Sequence, residues 1–244
     1  MTHTYRFAEQ IVEIHAMYPD VYALCADYRT EGRADFSVST TPRHIAFERE
    51  KSAREDAAAH RAVREYGDGY LETLAVYRMI AEKMPDYDTF LFHGSCIAVD
   101  GAGYLFTAKS GIGKSTHARL WRELLGDRAV MVNDDKPLIR VSGGSVLVYG
   151  TPWDGKHNLS NNVAVPLRAV CVLEQAAENR IRETAPGEAL PTLIQQAYRP
   201  MDPAALSKTL PLIDRLAGSV KLYRLACNMD LSAAELSYHT MSGG

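Results

Sequence analysis

The sequence predicts an α/β (α+β) protein built on a mixed-sheet, phosphate-loop domain. A small α+β appendage precedes it, and a helical third closes it. Three observations predict this. Residues 103–125 read as strand, Gly-rich turn and helix in succession. Several strand patterns follow one another with few helices between them, unlike a regular βαβ alternation. The hydrophobic pattern also changes character near Pro85, which places the appendage at 1–85 and the main domain at 86–244.

In the appendage, Tyr5/Phe7, Phe36/Val38 and Ile45/Phe47 alternate with polar residues, as half-buried strands do. Residues 49–64 are highly charged and rich in Ala, which suits a solvated helix or loop. Tyr70, Leu74, Tyr77, Ile80 and Met84 fall at helical spacing and predict a core-packing face.

In the main domain, residues 92–99 predict a strand, and Asp100-Gly101 a turn into the apolar strand 103–108. Residues 116–125 predict a helix with Ala118, Trp121, Leu124 and Leu125 on one face, stopped by Gly126. A strand at 128–133 follows. A hairpin around Ser142-Gly143-Gly144 and a strand at 169–173 come next. Pro191 and Pro203 suit first helical positions, the second capped by Asp202. Residues 220–225 predict a last strand, and Ser232 to Glu235 a capping box that opens the final helix.

Composition narrows the function classes. The chain has 244 residues, 46% hydrophobic and 23% charged, as in ordinary globular proteins. A net charge of −3 gives no basic excess for nucleic acid. No apolar run is long enough to span a bilayer, so neither nucleic acid nor membrane is an expected partner. The N-terminus lacks the apolar core of a secretory signal, and a cytoplasmic location is expected. Cys25, Cys96, Cys171 and Cys227 lack zinc-site or redox-pair spacing. Cys96 and Cys171 sit in apolar runs and read as small core residues.

The chemistry concentrates at Ala108-Lys109-Ser110-Gly111-Ile112-Gly113-Lys114-Ser115. Backbone N–H groups of such a turn form an anion-sized nest, and the following helix adds its positive end. Ser110 through Thr116 are thus the expected phosphate-binding residues. Lys114 supplies charge for the β/γ-phosphates, and the Ser115 hydroxyl suits Mg²⁺. The usual leading Gly is replaced by Ala108.

Asp134-Asp135 ends the strand after the loop helix, where a metal-holding acid is expected. One acid can hold Mg²⁺ while the other accepts a proton from an attacking hydroxyl. His93, on the strand before the loop strand, approaches the phosphates if those strands pair; the other reading is a structural histidine. His117 is expected to face solvent. Residues 150–158 form a structured turn carrying Trp153, Asp154, Lys156 and His157. That turn suits base stacking, metal or phosphate binding, or a rigid loop around a buried Trp. Arg168 and Arg199 are candidate phosphate clamps.

Phe92-His93-Gly94, the strand at 103–106, Ser110 to Ser115 and Asn133-Asp134-Asp135 together resemble the HPr kinase/phosphorylase catalytic domain and its relatives of the PEP-carboxykinase-like fold. The segment after Gly150 looks like that of HPr-kinase-related proteins. The resemblance implies a kinase using ATP and Mg²⁺ as cofactors, with the metal bound by Ser115 and Asp135. Asp134 would be the proton-accepting acid, with Lys114 and His93 completing the catalytic set. It implies a serine-type hydroxyl acceptor on a protein, a peptide or a small molecule. No counterpart of the HPr-recognition signature follows the acids, so HPr is not the expected acceptor. Two other readings compete: a non-catalytic ATP-binding regulatory module, and a carboxykinase-type enzyme needing further metal ligands. Homo-oligomerisation is left open.

Overall fold

The computed structural model describes residues 3–243, and the chain divides into two compact units, Met1–Lys83 and Met84–Gly244. In the first, β1 (His3–Phe7) and β2 (Gln10–His15) form an antiparallel hairpin. Then come α1 (Pro19–Leu24), β3 (Arg29–Thr30), β4 (Phe36–Ser39), α2 (Pro42–Ala58) and α3 (Asp68–Lys83). The sheet order is β3-β1-β2-β4. Tyr5, Phe7, Val12 and Ile14 are buried, as strand alternation requires.

One expectation fails in this unit and another holds only in part. Ile45 and Phe47 lie in helix α2, not in a strand. Pro42 presets the first helical position, and Thr41 and His44 cap each other's backbone. A three-residue alternation is too short to outweigh that start signal. In α3 the buried face is Leu71, Ala75, Val76 and Ile80, while Tyr70 is exposed. The aromatics had pulled the apparent stripe off the true face. Glu72 is fully buried and accepts bonds from Met17 N, Tyr18 N and the Thr40 hydroxyl, which offset the cost of burying its charge.

The second unit opens with β5 (Thr89–Leu91), β6 (Ser95–Val99), β7 (Ala102–Thr107), α4 (Lys114–Leu125) and β8 (Ala129–Asn133). It continues through β9 (Leu138–Ser142), β10 (Ser145–Tyr149), β11 (Ala164–Gln175) and β12 (Arg180–Glu183). It closes with α5 (Pro186–Gln196), α6 (Pro203–Ser219), β13 (Lys221–Cys227) and α7 (Leu231–Ser242). The main path of the sheet is β5-β9-β10-β11-β7-β6-β8, with β13 also on β11 and β12 on β13. β7 and β13 run parallel to β11, whereas β6, β8, β10 and β12 pair antiparallel with their neighbours. The sheet is therefore mixed.

Helices cover both faces. Tyr104 and Phe106 of β7 pack with Ala118 and Trp121 of α4 and Met241 of α7. Leu105 packs in the opposite cluster with Leu193 of α5 and Leu212 and Leu216 of α6. Burial on both faces explains the unbroken apolar run of β7. Positive φ at Asp100 and Gly101 (51° and 81°), and at Gly143 and Gly144 (58° and 78°), fits both hairpins to primed turns.

Several boundaries differ from the sequence reading. Residues 92–99 are not one strand, because His93 and Gly94 interrupt it. A Cβ at Gly94 would sit 2.9 Å from Phe106 O, so the break brings two backbones too close for a side chain. Pro191 lies inside α5, which starts a turn earlier at Pro186. α7 is capped at Asp230 rather than at Ser232. β12 adds a short strand where none was expected.

Candidate active site

A cleft of about 510 Å³ opens at the N-terminus of α4, lined by Ser110, Gly111, Gly113, Lys114, Ser115 and Thr116. His93, Asp134, Asp135, Gly155 and His157 line it from the other elements. Of the expected phosphate-binding residues Ser110 to Thr116, Ile112 alone does not line the cleft; it packs at the edge of the core under α4.

The loop is shaped by Gly111 and Gly113, with φ of 85° and 115°, a region only Gly enters cheaply. Ile112 N donates to Lys109 O, and His117 N is bonded to Gly113 O. The first-turn N–H groups before His117 fall outside the helical ladder and face the cleft end with the positive pole of the helix dipole. Lys114 is 8% exposed, its Nζ donating to Ala108 O at 3.1 Å. Burial lowers its pKa, and the carboxylate of Asp135 works against that.

Asn133 turns the chain at the two acids. Its Oδ1 accepts from Asp135 N (2.8 Å) and Lys136 N (2.6 Å), an Asx turn. Its Nδ2 donates to the Thr151 carbonyl at 2.9 Å. The acids then meet different surroundings. Asp134 is buried and accepts from the hydroxyls of Ser95 and Ser115. Burial raises its carboxyl above the usual range, and those hydroxyls oppose the rise. For Asp135, burial also acts upward, but bonds from His93 and Lys136 outweigh it and hold the carboxyl at about 2. The His93 Nε2 lies 3.3 Å from Asp135 Oδ1, and its Nδ1 lies 2.9 Å from Gln196 Oε1. Both ring nitrogens thus face oxygens.

The 150–158 turn reaches the same place. Gly155 approaches Asp135 so closely that a Cβ would lie 3.1 Å from the Asp135 Cβ. Asp154 accepts from the Ser160 hydroxyl at 2.9 Å, and burial raises its carboxyl. Trp153 is buried. The side chain of Lys156 lies outside the described residues. His117 does not face solvent: it is 2% exposed, its Nε2 3.0 Å from the Ser237 hydroxyl, with its ring edge-on to Phe106. Arg168 is tied to Ser242 O at 2.6 Å, and neither it nor Arg199 lines the cleft.

Ser95 and Gln196 escaped the sequence reading. Ser95 is 39 residues from Asp134, and Gln196 is 103 residues from His93, so no local spacing reveals either.

The fold is a mixed-sheet α/β unit with a cleft at one helix N-terminus. The family model described as "SynChlorMet cassette protein ScmC" matches residues 69–208, more than half of the chain. The chain belongs to this family. Among solved structures, the Hpr(Ser) kinase/phosphatase from Coxiella burnetii is similar at 11% identity and a TM-score of 0.35. That match covers 63% of this chain and 93% of the other. No curated protein matches. Among the described residues, no helix is long and apolar enough to cross a membrane.

Proposed function

We propose that the chain is a phosphotransferase that moves the γ-phosphoryl group of ATP to a hydroxyl acceptor, with Mg²⁺. One observation carries this: two adjacent acids face the Gly-rich loop and Lys114 in opposite electrostatic settings. Holding a metal needs one acid, which leaves the second to accept a proton.

The donor set fits Mg²⁺, a hard ion that takes oxygen ligands and keeps several waters. Ser115 and the ionised Asp135 would hold it, and when bound it would neutralise charge on the phosphates. The loop N–H groups and Lys114 orient the phosphates and stabilise the developing charge. Asp134 takes the acceptor's proton as the new O–P bond forms and the bond to the β-phosphate oxygen breaks, releasing ADP. Its raised carboxyl makes it the better proton acceptor of the two. His93, held by Gln196, positions Asp135 beside the transferred group.

The test is label transfer from γ-labelled Mg-ATP to free serine, serine-containing peptides, HPr and cell lysate proteins. A labelled acceptor supports a kinase. Tight ATP binding without any labelled product overturns it in favour of a regulatory nucleotide-binding module.

A further inference from the structure

Two recesses adjoin the cleft, one on each side of α4, and Thr116 lines all three. They differ in chemistry. The first, of about 270 Å³, shares Ser115, Asp134 and His157 with the cleft. It therefore reaches the proton-accepting acid, which also lines the cleft. The second, of about 300 Å³, shares only Gly113 and Thr116 with the cleft. No carboxylate lines it. Its walls include Ile112, Leu120 and Leu173, with Cys227 and Met229 at the end of β13. Gln175, whose Nε2 donates to Ile112 O at 3.3 Å, brings an amide to it.

We propose that this second recess seats the base of a nucleoside triphosphate, so that the donor is a nucleotide rather than an inorganic polyphosphate. The proposal rests on phosphate binding at the loop. Three features carry it. The recess lies where the parallel strands β11 and β13 end, the carboxyl-end crevice in which open α/β sheets bind ligands. Apolar walls with a few polar groups are the usual composition of a cofactor pocket, and the volume is at the small end of such sites. Met229 is 74% exposed, an unbranched apolar side chain able to cover a flat ring. The recess is built from three separate chain segments, so no local sequence pattern marks it.

The experiment compares Mg-ATP with Mg-tripolyphosphate by calorimetry. The unmodified protein is expected to bind ATP at least tenfold more tightly, because only ATP fills the recess. Equal affinities overturn the proposal. Ala176→Trp, which plugs the recess from its rim, is expected to weaken ATP at least tenfold and to change tripolyphosphate less than twofold. Met229→Ala, a surface change that leaves the fold alone, is expected to weaken ATP alone by a few fold. If both variants leave ATP affinity unchanged, the base lies elsewhere and the proposal fails while phosphate binding stands. If neither ligand binds the unmodified protein, the phosphotransferase reading itself falls.

Discussion

His93 and Asp135 face one another across the cleft, Nε2 to Oδ1 at 3.3 Å, although the sheet strand that was expected to carry His93 is broken at that residue. The break turns the imidazole toward the acid. Backbone bonds hold it there: His93 N to Gln196 O, and Gly94 N to Asp135 O. Gln196 also takes the other ring nitrogen. Gln196→Ala is expected to lower kcat about fivefold to tenfold, the scale of one buried hydrogen bond, with KM for ATP unchanged. Gln196→Glu keeps the acceptor oxygen and is expected to restore most of the rate. Steady-state kinetics on both variants checks this, and an unaffected Gln196→Ala removes Gln196 as a positioning residue.

Gly94→Ala is expected to destabilise the second unit by about 1–3 kcal/mol, the cost of overpacking, because the added Cβ meets Phe106 O at 2.9 Å. Thermal unfolding reads the loss directly.

The loop helix is tied to the C-terminal helix through Ser237, whose hydroxyl lies 2.8 Å from Trp121 Nε1 and 3.0 Å from His117 Nε2. Ser237→Ala leaves the buried Trp121 N–H and His117 Nε2 without that partner, at a cost of about 1–3 kcal/mol for each. Denaturant titration should show a lowered midpoint with an unchanged slope.

His117 also gives a pH dependence. Burial pushes its pKa down to about 4, below the unfolded value of about 6.5. The unfolded chain therefore binds the proton more readily. This group's contribution is complete above about pH 6.5 and is lost as pH falls toward 4, by about 3 kcal/mol in all. In His117→Gln the stability slope over that interval should shrink by about one proton.

The thiols test burial and the proposed base recess together. Cys25, Cys96 and Cys171 are buried, and burial raises all of them. Cys227 is half-buried and lines the recess. In the native protein a thiol reagent should label Cys227 alone, slowly, and Mg-ATP should protect it where Mg-tripolyphosphate does not. Mass spectrometry of the labelled peptides decides.

What was legible in the sequence was local. The loop, the two acids and both hairpin turns are runs of adjacent residues whose backbone needs follow from residue type. Asn133, which turns the chain there, lies beside the acids. The unreadable part is made by chain segments far apart. Ser95 meets Asp134, Gln196 meets His93, and Ser237 meets His117 only once the sheet has formed. The same cause hid the burial of His117: a polar residue beside the loop reads as solvated until α7 covers it. Ile45/Phe47 failed for the opposite reason, since a short local pattern was read while the stronger signal of Thr41-Pro42 lay just ahead of it.

The decisive measurement compares Asp134→Asn with the unmodified protein in both Mg-ATP binding and γ-phosphate transfer. Asp134→Asn should bind Mg-ATP with little change and transfer phosphate about 10²-fold more slowly or worse, the scale of a lost general base. Normal transfer by Asp134→Asn would contradict the assignment of Asp134 as proton acceptor and, with it, the proposed mechanism.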